Sequence, residues 1–250
     1  MNKLLDRLYG KSQLGFALAW IGVYCVGNSV AMSISDLIGV ENSAGLLVNA
    51  VLSLVLFRWM KARGFLERYG LCRSSIPASR FLWYIPLVLF VSHSLWLGVS
   101  VDFSAVSAAC SVVAMLLVGF LEEVIFRGLL FKALLKDGVK LAVVVSSVTF
   151  GFGHILNLFN GSGMSLVSNA CQVAGAIACG FMFVVIFYRG GSLIPCIAAH
   201  GLNNAANVFA NQAAMTPEVQ IMLSGAVVLI AVAYSLVLLR TLPRVRPFQA

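Results

Sequence analysis

The chain alternates between long apolar blocks and short polar connections. A helix rises about 1.5 Å per residue and bilayer hydrocarbon is about 30 Å thick, so an apolar run near 20 residues can span it. Eight blocks qualify: about 15–34, 44–60, 81–100, 105–131, 141–158, 166–188, 192–210 and 220–239. Two of them are marginal. The fourth is overlong and contains Glu122, Glu123 and Arg127, and the seventh is short and contains His200, Asn203, Asn204 and Asn207. Buried function would produce that marginal hydropathy. The pattern predicts an all-α polytopic membrane protein with eight transmembrane helices, folded as one membrane domain over 1–250.

Composition agrees. Of 250 residues, 60% are hydrophobic and 10% charged, against roughly 25% charged in soluble domains. A soluble core of this size could not hide such an excess. The net charge of +8 would suggest nucleic acid in a soluble chain; here its placement argues otherwise. Basic residues lie before the first span (Lys3, Arg7, Lys11), after the second (Arg58, Lys61, Arg63, Arg68, Arg73, Arg80) and after the fourth (Lys132, Lys136, Lys140). Arg189 follows the sixth span, and Arg240, Arg244 and Arg246 follow the eighth. The intervening connections near 35–43, 101–104, 159–165 and 211–219 have no Lys or Arg and carry Asp36, Glu41, Asp102 and Glu218. Sixteen of the 17 basic residues thus share one face. The positive-inside rule makes it cytoplasmic, with both termini inside and no nucleic-acid partner. The exception is Arg127. The basic N-terminus reads as a cytoplasmic lead-in rather than a cleaved signal peptide. Six cysteines (Cys25, Cys72, Cys110, Cys171, Cys179, Cys196) match no zinc or redox spacing and read as small packing side chains.

Ionisable groups inside a span are costly and by default mark function. The first cluster is Gly119–Gly128, GFLEEVIFRG. Glu123 and Arg127 are four apart on a helix and can pair. Glu122 points elsewhere, which leaves it as the chemical group. The second is Thr149–Asn157, with His154 one turn after Phe150 and with Gly151 and Gly153 allowing close helix approach or a local break. The third is Pro195–Asn207, where His200 and Asn204 share a face, Asn203 is offset and Asn207 extends the stripe. His93, between Ser92 and Ser94, has no partner motif and reads as structural. By helical rise, Glu122, His154 and His200 lie about 12–20 Å from the cytoplasmic boundary. They can meet only if spans four, five and seven are neighbours.

These groups suffice for hydrolysis. Glu122 can take a proton from water with help from His154, while His200 and Asn204 donate to the resulting oxyanion. A zinc route is also open, with Glu122, His154 and His200 as ligands. There is no HExxH, so the metal is left undecided. No Ser, Thr or Cys has a nucleophile setting, and Gly190-Gly191 is not a phosphate loop.

Together the motifs Glu122-Glu123-xxx-Arg127, Phe150-xxx-His154 and His200-xxx-Asn204 resemble those of the CPBP family. These are the bacterial and archaeal relatives of the type II CAAX prenyl endopeptidase, also called the Abi family. The resemblance covers about 105–210, read as the catalytic core. It implies an intramembrane endopeptidase of eight helices whose cavity opens toward the cytoplasm. Glu122 and His154 would activate water, His200 with Asn204 would stabilise the oxyanion, and Glu123 and Arg127 would support them. It also implies contact with membrane lipid, a membrane-associated or lipidated protein or peptide substrate, and a prokaryotic cell membrane. Family members have been described as metalloproteases and as glutamate enzymes. The short Gly161-Ser162-Gly163 connection leaves little room for a substrate-specific domain. The competing readings are an ion- or proton-coupled transporter or channel, whose polar path would cross the full thickness, and a non-catalytic immunity or scaffold protein of the same fold.

Overall fold

A computed structural model describes residues 2–159 and 164–243. The Gly161–Gly163 connection and two of the basic residues, Arg244 and Arg246, lie outside the described residues. The described chain is helical, and its sole extended pairing is an isolated antiparallel bridge, Val99 with Ala210. Its helices are α1 (Asn2–Lys11), α2 (Gln13–Ile38), α3 (Ser43–Ala62), α4 (Ile85–Ser92) and α5 (Ala105–Glu122). A π-helix (Glu123–Phe131) then runs straight into α6 (Lys132–Leu134). There follow α7 (Val139–Gly153), α8 (Leu166–Gly190), α9 (Ile194–Asn207) and α10 (Pro217–Thr241).

Helix ends follow local chemistry. Ser12, Ser104, Ser165 and Thr216 each cap a helix start by accepting from the backbone N–H three residues on. Gly39, at φ +74°, closes α2 in the left-handed conformation that glycine adopts freely. The helix flanks are apolar and exposed, as lipid contact requires: Val26, Val30, Leu47, Val51, Val106, Val144, Met222 and Leu229 all face outward.

Among the described residues, seven helical segments are long and apolar enough to cross a membrane. The third of these, Ala78–Leu95, is broken: Leu82, Trp83 and Tyr84 have φ of +52°, +51° and +57° before α4 begins. The expected span at 192–210 becomes α9, with 14 residues, or about 21 Å by helical rise. It is too short to cross unaided, yet it carries the chain between the two ends of the bundle. α8 and α10 run parallel: Ser168 donates to Gln220 at one end (2.7 Å), and Arg189 donates to the carbonyls of Leu242 and Leu239 at the other (3.1 and 3.3 Å). α9 returns the chain between them and finishes in the loop that pairs with the strand-like segment at Val99.

The two ends differ in charge. At one, Ser74 donates to the Gly190 carbonyl, Arg80 to that of Thr241, Lys132 to that of Arg68, and Arg63 pairs with Asp6 of α1. At the other, the residue 96–104 connection meets Phe209–Asn211, and Asn42 donates to Ser111. The grouping of basic connections read from sequence is therefore a grouping in space.

Two glycines set the central helix crossing. A Cβ on Gly119 would lie 2.5 Å from the backbone of Gly201, so α5 and α9 touch backbone to backbone. That closeness brings His200, the neighbour of Gly201, against the end of α5. Gly119→Ala must therefore push the helices apart. Overpacking of this kind costs about 1–3 kcal/mol, and the thermal midpoint in detergent should fall accordingly. An unchanged midpoint would show that the crossing is slack.

Candidate active site

The site forms where α5 changes into the π-helix. Such wide turns are rare and often accompany function. Here the Phe126 carbonyl accepts from the Ser146 hydroxyl of α7 at 2.9 Å, a side-chain bond from the neighbouring helix inside the widened segment.

Glu123 and Arg127 are fully buried and paired, with Nη1 to Oε1 at 3.0 Å. The guanidinium carbon lies 4.1 Å from the Phe150 ring centroid and 5.6 Å from that of Phe183. Aromatic faces thus hold a cation whose Nε and Nη2 have no hydrogen-bond partner among the described residues. The single basic residue out of place in the charge pattern is neutralised by Glu123 and cushioned by two rings.

His200 joins both carboxylates. Its Nδ1 lies 2.8 Å from Glu123 Oε1 and its Nε2 lies 3.4 Å from Glu122 Oε2. Glu123 Oε1 already accepts from Arg127, so it is an acceptor here and Nδ1 of His200 is the donor to it. The imidazole is fixed by rings as well: it stacks on Phe183 at 5.8 Å and meets Phe150 edge-on at 5.6 Å. Glu122 has a further partner that no motif announces. Tyr24 of α2 donates its hydroxyl to Glu122 Oε1 at 2.7 Å.

His154 opens a tighter 3₁₀ turn, His154–Leu158, directly after α7. Of the two flanking glycines, Gly151 permits close approach to α8, since a Cβ there would clash with Ile177, while Gly153 keeps ordinary helical dihedrals as the last residue of α7. His154 Nδ1 lies 3.1 Å from the Phe150 carbonyl, and its own carbonyl accepts from buried Asn169 of α8 at 2.7 Å. Asn169 is a second positioning residue that the sequence motifs did not mark.

Glu122, His154, His200 and Asn204 all line one cavity of about 630 Å³, with Tyr24, Phe150 and Asn207. His154, His200 and Asn204 also line a second cavity of about 380 Å³, walled by Phe90, Phe183, Met164 and Met215. Asn203 faces this second cavity, and His93 lines it while its Nδ1 meets the Phe90 carbonyl at 2.6 Å. Zinc ligation fits this arrangement poorly. Among the described residues no three of His, Cys, Asp or Glu gather in a metal-binding cluster, and both nitrogens of His200 already face carboxylates.

The larger cavity runs away from the basic end. From Glu122 its lining runs along α2 through Ser29 and Met32 to Asp36 and Glu41, both exposed at the end that carries no Lys or Arg. Toward the basic end the site is closed by fully buried Arg127, Phe131, Phe187 and Leu193.

No curated protein and no solved structure matches this chain significantly. One family model does, over residues 104–206: type II CAAX prenyl endopeptidase, Rce1-like. The matched stretch contains all three motifs and every expected site residue. Tyr24 lies outside it. The match supports a CAAX-protease-type enzyme in an integral membrane protein. Over residues 104–206 the chain matches the Rce1-like family, consistent with the CPBP resemblance of its motifs.

Proposed function

We propose that the protein is an intramembrane endopeptidase that hydrolyses a peptide bond of a membrane-associated or lipidated substrate with water activated by Glu122 and His154. The observation that carries this reading is the convergence of Glu122, His154, His200 and Asn204 on one cavity. A water between Glu122 and His154 loses its proton to the carboxylate and attacks the scissile carbonyl. The oxyanion is met by the side-chain amide of Asn204 and by His200 acting as an imidazolium, with Nδ1–H given to Glu123 and Nε2–H to the oxyanion. Because Nδ1 of His200 is committed to Glu123, the ring cannot turn, and Nε2 stays aimed at the reacting centre. Glu122 then returns the proton to the leaving amine. Glu123 and Arg127 hold His200 and the π-helix without touching substrate. The closed basic end argues against a transport path through the site.

Comparative peptide mapping of membranes holding the wild-type protein or its Glu122→Gln form tests this. Fragments present with the first and missing with the second are expected, and they identify the substrate. Identical maps count against the reading.

Tyr24 orients Glu122 and takes no part in bond making. A hydrogen bond to a charged group is worth about 1.5–3 kcal/mol, so Tyr24→Phe should lower kcat by about 10- to 100-fold. KM should change little, so the loss falls on kcat. A Tyr24→Phe enzyme with wild-type kcat would remove Tyr24 from the site.

A further inference from the structure

We infer that the active site is entered from the extracytoplasmic side, so that its substrate is a peptide segment presented there or in the outer half of the bilayer. This rests on the peptidase reading for the word substrate, but the direction of entry does not.

Three independent observations carry it. First, the cavity containing Glu122 ends at exposed Asp36, in the last turn of α2, and Glu41, in the turn between α2 and α3. The second cavity, which shares His154 and His200, reaches Met164, Gln212 and Met215. All of these lie in or beside connections that lack Lys and Arg.

Second, the opposite route is filled. Below Glu123 come Arg127, then Phe131 against Phe187 with ring centroids 6.2 Å apart, then Leu193, whose N–H donates to the Gly70 carbonyl at 2.8 Å. Gly70 belongs to the basic connection after α3. A Cβ on it would clash with Phe187 and lie 3.0 Å from the Leu193 backbone, so this floor has no slack. An open cavity also exists at the basic end, lined by Lys11, Arg68, Lys132 and Lys136, but neither Glu122 nor either site histidine lines it.

Third, the charge bias fixes which end is which. Lys and Arg in short loops stay cytoplasmic, and the basic connections assemble at the filled end. The open end is therefore outside. No Lys or Arg lines either site cavity among the described residues, and the mouth bears Asp36 and Glu41. A neutral or basic peptide segment suits that mouth. A prenylated tail on the cytoplasmic surface would meet the filled end instead.

Thiol labelling reads the direction without any activity assay. Single changes Glu41→Cys, Met32→Cys and Lys136→Cys are made in the full chain with its native cysteines. A membrane-impermeant maleimide is added to intact cells, and the labelled position is read by peptide mass spectrometry. Position 41 marks the face, position 32 the cavity wall and position 136 the basic end. Labelling of the Glu41→Cys and Met32→Cys thiols at least tenfold above that of Lys136→Cys is expected, with the order reversed in inside-out vesicles. Labelling of the Lys136→Cys thiol from outside would overturn the orientation. Labelling of Glu41→Cys without Met32→Cys would overturn the open route. If the peptidase reading failed, the labelling pattern would stand unchanged, and adding Glu122→Gln to each variant should leave it the same. In an otherwise wild-type chain, a bulky maleimide attached through Met32→Cys should then block cleavage when applied from outside.

Discussion

Glu122→Gln should reduce cleavage by about 100- to 10,000-fold, the contribution typical of a positioned general base, while leaving the protein folded in the membrane. The amide has nearly the shape of the carboxylate. Its oxygen can still accept from Tyr24, which now meets Glu122 at 2.7 Å. What it loses is the ability to take a proton from water. Glutamine also ends the attraction across the 3.4 Å contact with His200 Nε2, but Glu123 still holds the other nitrogen at 2.8 Å. The scaffold should therefore survive, and thermal unfolding should differ little from wild type. Single-turnover cleavage beside a melting curve separates the two effects. A Glu122→Gln enzyme that keeps its activity would sink the assignment of Glu122 as base.

Arg127→Ala should act in the opposite way, through the fold. Removing one member of a buried ion pair strands the other and typically costs about 3–5 kcal/mol. Here Glu123 is fully buried, and its Oε2 already lacks a hydrogen-bond partner among the described residues. The alanine also leaves a hollow against the Phe150 and Phe183 rings. Low yield and a much lower melting temperature are expected, with activity lost as a consequence. Pairing Arg127→Met with Glu123→Gln should recover part of the stability, because no charge is then stranded. Unchanged yield and melting temperature for Arg127→Ala would count against the structural pair.

The membrane fold was legible because lipid imposes a simple rule on sequence. Long apolar blocks mark the helices, and loop charge marks the faces. The grouping of Arg63, Arg68, Arg80, Lys132 and Arg189 at one end follows from that rule alone. The motif residues were legible because a charge inside a span needs a reason, and spacing of four places two groups on one helical face. Glu123 with Arg127 is such a pair. Tyr24 was not legible, since a tyrosine in an apolar run is ordinary and its partner is 98 positions away. Asn169 escaped for a similar reason: it holds a backbone carbonyl, and no side-chain motif records that. The short α9 was hidden because the apolar block at 192–210 runs past the helix into the Val208–Ala210 segment, where Ala210 pairs with Val99 as extended chain instead. The direction of the cavity depends on which side chains fill the space below Glu123, and hydropathy does not encode packing.

The π-helix at Glu123–Phe131 has a consequence for how this segment tolerates change in length. Each residue of an α-helix turns the chain by about 100°, and a widened stretch behaves as one that has taken in an extra residue. Deleting one residue between Val124 and Phe131 would let the segment rewind as plain α-helix. It would remain as apolar as before and would still cross the bilayer. The flanks would also keep nearly the same phase, because the wide turns absorb the extra residue. What would go is the opened turn in which the Phe126 carbonyl accepts from Ser146 of α7, so the extra residue serves the fit between these two helices rather than the crossing of the membrane.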